Sequence, residues 1–455
     1  MRILMTGATG LIGKEVGKVL AEKGHELFVV SRSLAKAREI LPFPCEVIVG
    51  DLNEGPLKDE RLKSIEAVIN LMGEPIINGR WTEEKKKSIY DSRVIGTRHL
   101  VASLPTTLKI FASASAIGFY GSCDDEVLRE DHNPGSDFLA KVCVDWEREA
   151  AKAPGRKVYM RTAPVLSRQG GALEQMLFPF RAGVGGVLGD GQQWMSWIHI
   201  KDIVGLYVFA LENQKVQGPL NGAAPNSVTN KEFSQALAHA LGKRLGPSVP
   251  HMALKLIFGE AADALLSSVR VSAEKAEALG YKFHFTDLSE ALDELCAPFK
   301  AGEDVFVSEQ FVVAPPENIF PFFQDPGNLE QFNPPNYDLH VEKVSSTEIK
   351  QGTSIDYRLK IHGVPSRWKT EIDEWLPPYK FVDKQKLGPY RFWHHTHEFR
   401  PFCGGTLVVD KVRYRLPLGY LGWVLGAKIV KSDVEKIFSF RRKFMANNMS
   451  VPRKG

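Results

Sequence analysis

The chain has few cysteines and no run of apolar residues long enough to span a bilayer. Its five cysteines are scattered over 455 residues, and no two of them form a C-x-x-C pair. Scattered cysteines are typical of reduced thiols in a cytoplasm and argue against a zinc site. No stretch reaches about 18 consecutive apolar residues, and a predicted strand stands at the N-terminus, so we expect neither a membrane span nor a signal peptide.

The chain also lacks a strong charge of either sign. Its formal net charge is +4, which is small for this length and gives no reason to expect a nucleic-acid partner or an integral membrane association. Apolar residues make up 44% and charged residues 25%, as in ordinary globular proteins. Because 455 residues exceed what one core organises, we expect two or three domains.

The sequence does have a glycine-rich turn at its N-terminus. The apolar run from Arg2 to Met5 predicts a strand, and Gly7, Gly10 and Gly13 follow it with the spacing G-x-x-G-x-x-G before a helical pattern. This order is typical of a dinucleotide site, where the pyrophosphate lies against N–H groups at a helix N-terminus. The predicted cofactor contacts in this turn are Gly7, Thr9, Gly10, Leu11 and Ile12.

The end of the second predicted strand indicates which dinucleotide binds. Ser31 and Arg32 stand there in place of the acidic residue that would bind the ribose hydroxyls of NAD. An arginine beside hydroxyl groups suits a 2′-phosphate, which predicts NADP. The alternative is an arginine that only covers the end of the strand.

Two later strand ends add cofactor candidates. Asp51 and Leu52 follow the third strand, where the carboxylate either accepts from the adenine amino group or caps a turn. Leu71, Met72 and Gly73 follow the fourth strand, and a glycine there allows the backbone to pass close to the cofactor.

The loop from Ile77 to Trp81 predicts part of a substrate pocket. Arg80 and Trp81 stand at its tip, and a tryptophan needs something to pack against, either a substrate or the underside of the loop. Trp197 and His199 are further substrate candidates. The alternative, which the sequence favours for His199, is that His199 and Asp202 fix a loop by hydrogen bonds, with Asp202 capping a helix over 203–211.

The motifs together resemble the extended short-chain dehydrogenase/reductase superfamily, in its nucleoside-diphosphate-sugar-epimerase-like branch. The resemblance implies a Rossmann-like, doubly wound parallel sheet over residues 1–298, including a small C-terminal module at 250–297. It also adds Arg161, which opens an R-T-x-x-V-L segment, to the cofactor-binding residues. The motifs that carry it are the opening turn, Gly73 to Ile76, Arg80 to Thr82, Phe138 to Ala140, Asp145 to Glu147 and Trp197 to Asp202.

The chain departs from this superfamily at the catalytic position. The superfamily uses a tyrosine four residues before a lysine, but Asp137 stands four residues before Lys141. Tyr120 and Asp137 are therefore the candidate acid/base groups, and Lys141 is expected to contact the ribose. We expect the substrate oxygen near Ser113, Ser115 or Tyr120. The alternative is that none of these groups is catalytic and that the domain only binds nucleotide.

The second half of the chain predicts a different domain over residues 303–455. A strand over 305–313 and an amphipathic helix precede six alternating strands between 338 and 415 and a closing helix over about 424–449. This order resembles the START-like helix-grip superfamily, an α+β fold whose antiparallel sheet surrounds a long C-terminal helix, and the resemblance implies a cavity for an apolar ligand. The aromatic residues that either line it or fill a core are Phe311, Phe320, Trp368, Trp375, Phe392, Trp393 and Phe399.

Three histidines in this half, His394, His395 and His397, do not predict a metal site. Alternation along a strand puts His395 and His397 on one face, and no carboxylate or cysteine is spaced in the sequence to complete a ligand set. We therefore expect no metal.

These observations favour a cytoplasmic NADP-dependent oxidoreductase or epimerase-like enzyme that acts on a small molecule and is fused to a domain that binds a hydrophobic small molecule. The alternative is a non-catalytic NADPH sensor coupled to that domain.

Overall fold

The computed structural model describes residues 1–76 and 79–449, so Ile77 and Asn78 of the predicted pocket loop lie outside the described residues. The chain divides into two compact units, one formed by residues 1–34 with 45–300 and the other by 35–44 with 301–455. The division near residue 300 falls between the two domains predicted from the sequence. The association of residues 35–44 with the second unit was not predicted.

Up to residue 300, seven parallel strands form the central sheet in the order β11-β7-β5-β4-β1-β2-β3, and three two-stranded pairs lie outside it. The strands are β1 Arg2–Thr6, β2 Glu26–Ser31, β3 Glu46–Val49, β4 Ala67–Asn70, β5 Ile110–Ala116, β6 Val127–Leu128, β7 Arg156–Thr162, β8 Val165–Ser167, β9 Trp194–Met195, β10 Ile198–His199, β11 Gly218–Gly222, β12 Val228–Thr229 and β13 Arg270–Val271.

Helices connect these strands. They are α1 Leu11–Glu22, α2 Leu34–Ile40, α3 Glu83–Tyr90, α4 Gly96–Ala102, α5 Phe138–Ala150, α6 Gly171–Arg181, α7 Ile200–Glu212, α8 Asn230–Ala240, α9 His251–Phe258, α10 Ala261–Leu266, α11 Glu274–Ala278 and α12 Leu288–Lys300.

The sheet is Rossmann-like and places the functional edge. β1 is an interior strand, with Ile3, Leu4 and Met5 completely buried, and it pairs with β2 on one side and β4 on the other. The direction of strand order reverses between β1 and β4, and ligands of such sheets bind outside the carboxyl ends of the strands at that point. The predicted doubly wound parallel sheet is confirmed.

The second unit contains one antiparallel sheet of seven strands in the order β14-β20-β19-β18-β17-β16-β15. Its elements are β14 Asp304–Val312, α13 Pro316–Gln324, α14 Asn328–Gln331, β15 His340–Val344, β16 Ser354–Ile361, β17 Val364–Leu376, β18 Lys380–Leu387, β19 Phe392–Phe402, β20 Gly405–Arg415 and α15 Gly419–Asn448.

A π-helical turn over Asp91–Ile95 joins α3 to α4. Helix α7 begins at Ile200 and is capped by His199, so Asp202 lies inside the helix and is not its cap. Within the described residues, no helix combines the length and the apolar composition needed to cross a bilayer.

Candidate functional site

The glycine-rich turn between β1 and α1 forms a cradle with little room for side chains. Gly7 has a φ of 63°, and a Cβ on it would collide with the backbone of Leu71 after β4. A Cβ on Gly13 would lie 2.6 Å from the Ala8 Cα, so this glycine allows the helix to approach the turn. Gly10 precedes α1, and the first N–H groups of a helix have no partner within it. The cradle therefore presents N–H donors and a helix dipole to an anion.

The predicted 2′-phosphate corner lies at the end of β2. The Ser31 hydroxyl donates to the Ser33 carbonyl at 3.1 Å, and the Ser33 N–H donates to the Ser31 Oγ at 3.3 Å. This local turn exposes the side chain of Arg32. At the end of β3, the Asp51 carboxylate accepts a hydrogen bond from the Asn53 N–H at 2.9 Å. This contact agrees with the alternative in which Asp51 caps a turn. An adenine contact by Asp51 stays a prediction, as does the contact from the buried Leu52.

A buried amide that the sequence did not reveal ties together the carboxyl ends of β1, β4 and β5. Asn70 accepts from the Thr6 hydroxyl at 2.6 Å and donates to Thr97 Oγ1 at 2.9 Å and to Ser113 Oγ at 3.1 Å. Trp146 Nε1 donates to the same Thr97 oxygen at 2.9 Å. Ser113 is thus a buried member of this network, and its expected position beside a substrate oxygen stays a prediction.

A second buried network holds Tyr120. Its hydroxyl donates to Asn221 Oδ1 at 2.7 Å and accepts from Arg161 Nη1 at 3.0 Å. Arg161 also forms a bidentate ion pair with Glu147, with both N···O distances 2.9 Å, and the Ser115 hydroxyl donates to Glu147 Oε1 at 2.7 Å. Burial raises the pKa of Tyr120 to about 12.

These contacts show what the predicted site residues hold within the protein itself. The Tyr120 and Ser115 hydroxyls have protein partners inside the fold, and their roles at a substrate oxygen stay predictions. Arg161 is 3% exposed and its guanidinium holds Glu147 and Tyr120, so its cofactor contact also stays a prediction. A sequence shows that such residues are polar but does not show which buried partner each one meets.

The remaining catalytic candidates lie at the start of α5. Asp137 caps the helix by accepting from the Ala140 N–H at 2.9 Å, and its side chain is exposed. Lys141 is exposed as well, while the inward face of α5 presents Cys143 and Trp146. Burial raises the pKa of the Cys143 thiol to about 12, which keeps it protonated. Catalytic roles for Asp137 and Lys141 stay predictions.

Arg80, from the predicted pocket loop, contacts the small C-terminal module of the same unit. Arg80 donates from Nε to the Ile257 carbonyl at 3.3 Å and from Nη2 to the Leu256 carbonyl. Trp81 donates to the Ile76 carbonyl at 2.8 Å and contacts Phe138 edge to face, with ring centroids 5.6 Å apart. Trp81 and Phe138 thus form an aromatic wall at the N-terminus of α5.

A buried arginine that the site prediction omitted lies beside Gly73. A Cβ on Gly73 would lie 3.1 Å from the Arg93 guanidinium carbon. Arg93 Nη1 donates to the carbonyls of Glu74 and Ile89 at 2.9 and 3.3 Å, and burial lowers its pKa. Gly73 therefore leaves space for a cation next to the exposed end of β4. Met72 packs against Gly96, so its side chain faces the protein.

The two further substrate candidates have partners within the protein. Trp197 is completely buried and donates to the Asn226 carbonyl at 3.0 Å, inside a core formed with α6, α8 and α12. His199 accepts from the Lys201 N–H at 3.2 Å and packs against Phe285, with ring centroids 4.0 Å apart. These contacts agree with the loop-fixing alternative for His199, and substrate contacts of Trp197 and His199 stay predictions.

The second unit encloses a cavity of about 170 Å³ between its sheet, α13 and α15. Trp368, Trp375 and Trp393 are among its lining residues, as predicted. Phe320 and Phe399 fill the core beside it, Phe311 packs on Phe402, and Phe392 lies near Arg413 and Arg415. These four phenylalanines therefore agree with the alternative prediction, in which the aromatic residues fill a core instead of lining the cavity. Polar side chains also reach the cavity, including Asp383, His395, His397 and Arg441.

Comparison with known proteins gives relatives for the first unit. Residues 3–221 match the NAD dependent epimerase/dehydratase family, and residues 249–295 match a domain of unknown function, DUF1731. The second match coincides with the small module predicted at 250–297.

Individual relatives cover about two thirds of this chain. The human epimerase family protein SDR39U1 is 37% identical, over 65% of this chain and 100% of its own length. A chloroplastic homologue from Arabidopsis thaliana is 38% identical, over 64% of this chain and 86% of its own. The crystal structure of human SDR39U1 isoform 2 with NADPH is 34% identical, covers 65% of this chain and 99% of that chain, and has a TM-score of 0.58. The predicted cofactor class agrees with that ligand.

Proposed function

Because the chain belongs to the epimerase family, we propose that its first unit is an NADP(H)-dependent oxidoreductase of a small molecule. The observation that carries this proposal is the cradle at Gly7, Gly10 and Gly13, where a Cβ on Gly7 or Gly13 would collide with the backbone and Gly10 stands at the N-terminus of α1. The NADPH in the structure of human SDR39U1 supports the same cofactor for this chain. The unit binds NADP(H).

Each part of the cofactor has a place on the functional edge. The N–H groups that begin α1 hold the pyrophosphate, and Arg32 with Ser31 holds the 2′-phosphate through charge-assisted hydrogen bonds. Gly73 leaves the end of β4 open, and the aromatic wall of Trp81 and Phe138 excludes water from the far side. When bound, the nicotinamide supplies or accepts a hydride.

Tyr120, Ser113 and Ser115 each form a hydrogen bond with a side chain of the protein, which argues against them as the source of the proton that accompanies the hydride. This observation favours a second candidate function, a non-catalytic NADPH sensor whose occupancy changes ligand binding by the second unit.

Titration calorimetry of the full chain with NADPH and NADH tests the cofactor proposal. The Arg32→Asp variant is expected to lose NADPH affinity and to gain relative preference for NADH, because a carboxylate repels the 2′-phosphate and accepts from ribose hydroxyls. Arg244→Asp, which makes the same charge change at an exposed arginine after α8, is the matched control. If Arg32→Asp prefers NADPH over NADH as strongly as the wild type does, Arg32 does not bind the 2′-phosphate.

Single-turnover oxidation of bound NADPH separates the two candidate functions. An oxidoreductase consumes NADPH with at least one compound in a panel of aldehydes, ketones and nucleotide sugars. If no compound in that panel reacts, and if NADPH changes the affinity of the second unit for a hydrophobic fluorescent probe, the sensor function holds instead.

For the second unit we propose a START-like helix-grip fold that binds an apolar small molecule. The seven-stranded antiparallel sheet, the 30-residue helix α15 and the cavity lined by three tryptophans support this proposal. Mass spectrometry of molecules extracted from the purified full chain is expected to find a bound apolar compound. Trp393→Ala should reduce its amount, whereas Phe392→Ala, on the neighbouring residue outside the cavity lining, should retain it. Equal amounts in both variants would contradict the proposal.

For the whole chain we propose a cytoplasmic location, which is supported by the absence of a disulfide among its five cysteines.

A further inference from the structure

Four ionisable side chains meet inside the second unit, on three adjacent strands. The pairing of β18 with β19 sets Asp383 opposite His395, and the pairing of β19 with β20 sets His397 opposite Asp410. His395 and His397 share one face of β19 because alternate residues of a strand point the same way. The carboxylates that appeared to be missing from the sequence are therefore supplied by the neighbouring strands.

The geometry of this cluster is compact. Asp383 Oδ2 lies 3.1 Å from His397 Nε2 and 3.5 Å from His395 Nδ1. Asp410 Oδ1 lies 3.0 Å from His395 Nε2 and 2.8 Å from His397 Nδ1. All four ring nitrogens thus face a carboxylate oxygen, and the ring centroids are 3.7 Å apart.

The four contacts differ in their geometry. His395 Nε2 and His397 Nε2 form hydrogen bonds with Asp410 and Asp383, at 3.0 and 3.1 Å. His395 Nδ1 faces Asp383 at 3.5 Å, and His397 Nδ1 is buried without an aligned hydrogen bond among the described residues. Two of the four contacts are thus mismatched with hydrogen-bond geometry, although one ligand atom each from Asp383, His395 and His397 lies within 4.8 Å of the other two.

A cation beside Asp383 resolves the mismatch. Zinc–nitrogen bonds of about 2.0–2.1 Å place neighbouring ligand atoms of a tetrahedron about 3.3 Å apart. The two separations from Asp383 Oδ2, to His397 Nε2 and His395 Nδ1, bracket that value. His395 then donates from Nε2 to Asp410, and a small ring rotation aligns the Nδ1–H of His397 with the same carboxylate. Such carboxylate–histidine–metal contacts are typical of metal sites.

We propose that Asp383, His395 and His397 bind one divalent transition-metal ion, with Zn²⁺ the best match to the ligand set, and that Asp410 orients both histidines. All three ligands line the cavity, so the fourth coordination position opens into it. A site with two histidines, one carboxylate and an open position is the arrangement of catalytic zinc centres.

The cavity lining and the open coordination position define the class of ligand that completes the site. Arg441 lines the same cavity, donates to Asn333 Oδ1 at 3.0 Å, and has no hydrogen-bond partner for Nε among the described residues. This N–H group and the open position on the metal both suit an anionic oxygen, and the tryptophans that line the cavity suit an apolar body. The cavity therefore suits an apolar molecule with a single anionic oxygen group, such as an aromatic carboxylate. This ligand class depends on the proposed binding role of the second unit, whereas metal binding does not.

Metal content of the untagged full chain tests the site. The protein is stripped with a chelator, reloaded with Zn²⁺ or Co²⁺, dialysed and analysed by mass spectrometry for bound metal. We expect one ion per chain, visible ligand-field bands of four-coordinate Co²⁺, and a rise in the melting temperature on reloading. Wild-type protein that takes up no ion and shows no shift in melting temperature would overturn the proposal.

Matched variants then locate the ion. Asp383→Asn and His395→Gln should abolish stoichiometric loading, and Asp410→Asn should weaken it by about 10–100-fold. His394→Gln, on the opposite face of β19, should load like the wild type. Loading that survives in Asp383→Asn and His395→Gln would overturn the site. If those variants fail to fold, the Co²⁺ spectrum of the wild type decides, because bands without the signature of nitrogen and oxygen ligands would also overturn it.

A titration with a carboxylate tests the proposed ligand class separately from the metal site. Adding benzoate should perturb the Co²⁺ spectrum of the wild type and of His394→Gln, because the fourth position opens into the cavity. A loaded protein whose spectrum ignores benzoate would contradict the ligand class and leave the metal site intact.

Discussion

Tyr120 provides a sharp test of whether the hydroxyl groups near β5 are structural or catalytic. Replacing it with phenylalanine deletes one buried oxygen and little volume. Asn221 Oδ1 then loses a donor at 2.7 Å, and Arg161 Nη1 loses an acceptor at 3.0 Å. Arg161 Nη1 still donates to the Glu130 carbonyl at 3.0 Å, so the guanidinium stays partly satisfied.

The expected loss of stability follows from the Asn221 carbonyl oxygen, which is left without a hydrogen-bond donor. Leaving a buried acceptor unsatisfied lowers the free energy of unfolding by about 1–3 kcal/mol. For a unit of this size that corresponds to a fall in melting temperature of about 2–6 °C. Tyr159→Phe is the matched control, because the Tyr159 hydroxyl has no hydrogen-bond partner among the described residues, and we expect its stability to change by less than about 0.5 kcal/mol.

Differential scanning calorimetry gives the stability, and calorimetric titration gives the NADPH affinity of each variant. We expect Tyr120→Phe to lose stability, to bind NADPH as the wild type does, and to retain any single-turnover rate. A variant of wild-type stability whose hydride step is lost would refute this account and restore Tyr120 as the proton-transfer group.

Two further predictions concern buried charges in the first unit. Glu147→Ala leaves the Arg161 guanidinium buried without its carboxylate and should lower the free energy of unfolding by about 3–5 kcal/mol. Asp91→Ala, at the exposed pair with Lys87, is the control and should lower it by less than about 1 kcal/mol. Equal losses of the two variants in urea denaturation would contradict the difference between the buried and the exposed ion pair. Burial lowers the pKa of the His199 imidazole to about 4. The nearby cations Lys201 and Arg168 also lower this pKa, whereas the Glu294 carboxylate raises it. The unfolded chain therefore takes up the proton first, and stability should fall as the pH drops from about 6.5 to 4. His199→Asn keeps a capping side chain but removes this titration, so its denaturation midpoint should depend less on pH; an unchanged slope would exclude His199 as the source.

The sequence predicted the first strand and the seven strands of the second unit, because alternation and apolar runs are local patterns. The strand predicted from Arg2 to Met5 is observed at Arg2–Thr6, and the one over 305–313 at Asp304–Val312. The glycine cradle was predicted for the same reason, since its glycines are adjacent in sequence.

The sequence did not predict which polar residues are buried in mutual contact. Tyr120, Asn221 and Arg161 are separated by up to 101 positions, and only the parallel pairing of β5, β7 and β11 brings their elements together. The cluster of Asp383, His395, His397 and Asp410 depends in the same way on the register of three strands. In both networks, the pairing of strands that are distant in sequence decides which polar side chains meet, and local sequence patterns do not predict that pairing.

The central claim is that the turn at Gly10 holds the pyrophosphate of NADP(H). Gly10 has an ordinary extended conformation, with φ −77° and ψ 174°, and a Cβ there would contact only the Gly7 carbonyl, at 3.2 Å. Gly10→Ala should therefore fold normally while its methyl group holds the phosphates away from the helix. Gly55→Ala, where a Cβ meets no atom within 4 Å, is the control.

Calorimetric titration of the full chain with NADPH tests this claim most directly. We predict that the wild type and Gly55→Ala bind one NADPH per chain with equal affinity, and that Gly10→Ala binds at least about tenfold more weakly, a loss of about 1.4 kcal/mol. NADPH affinity in Gly10→Ala equal to that of the wild type would contradict the account.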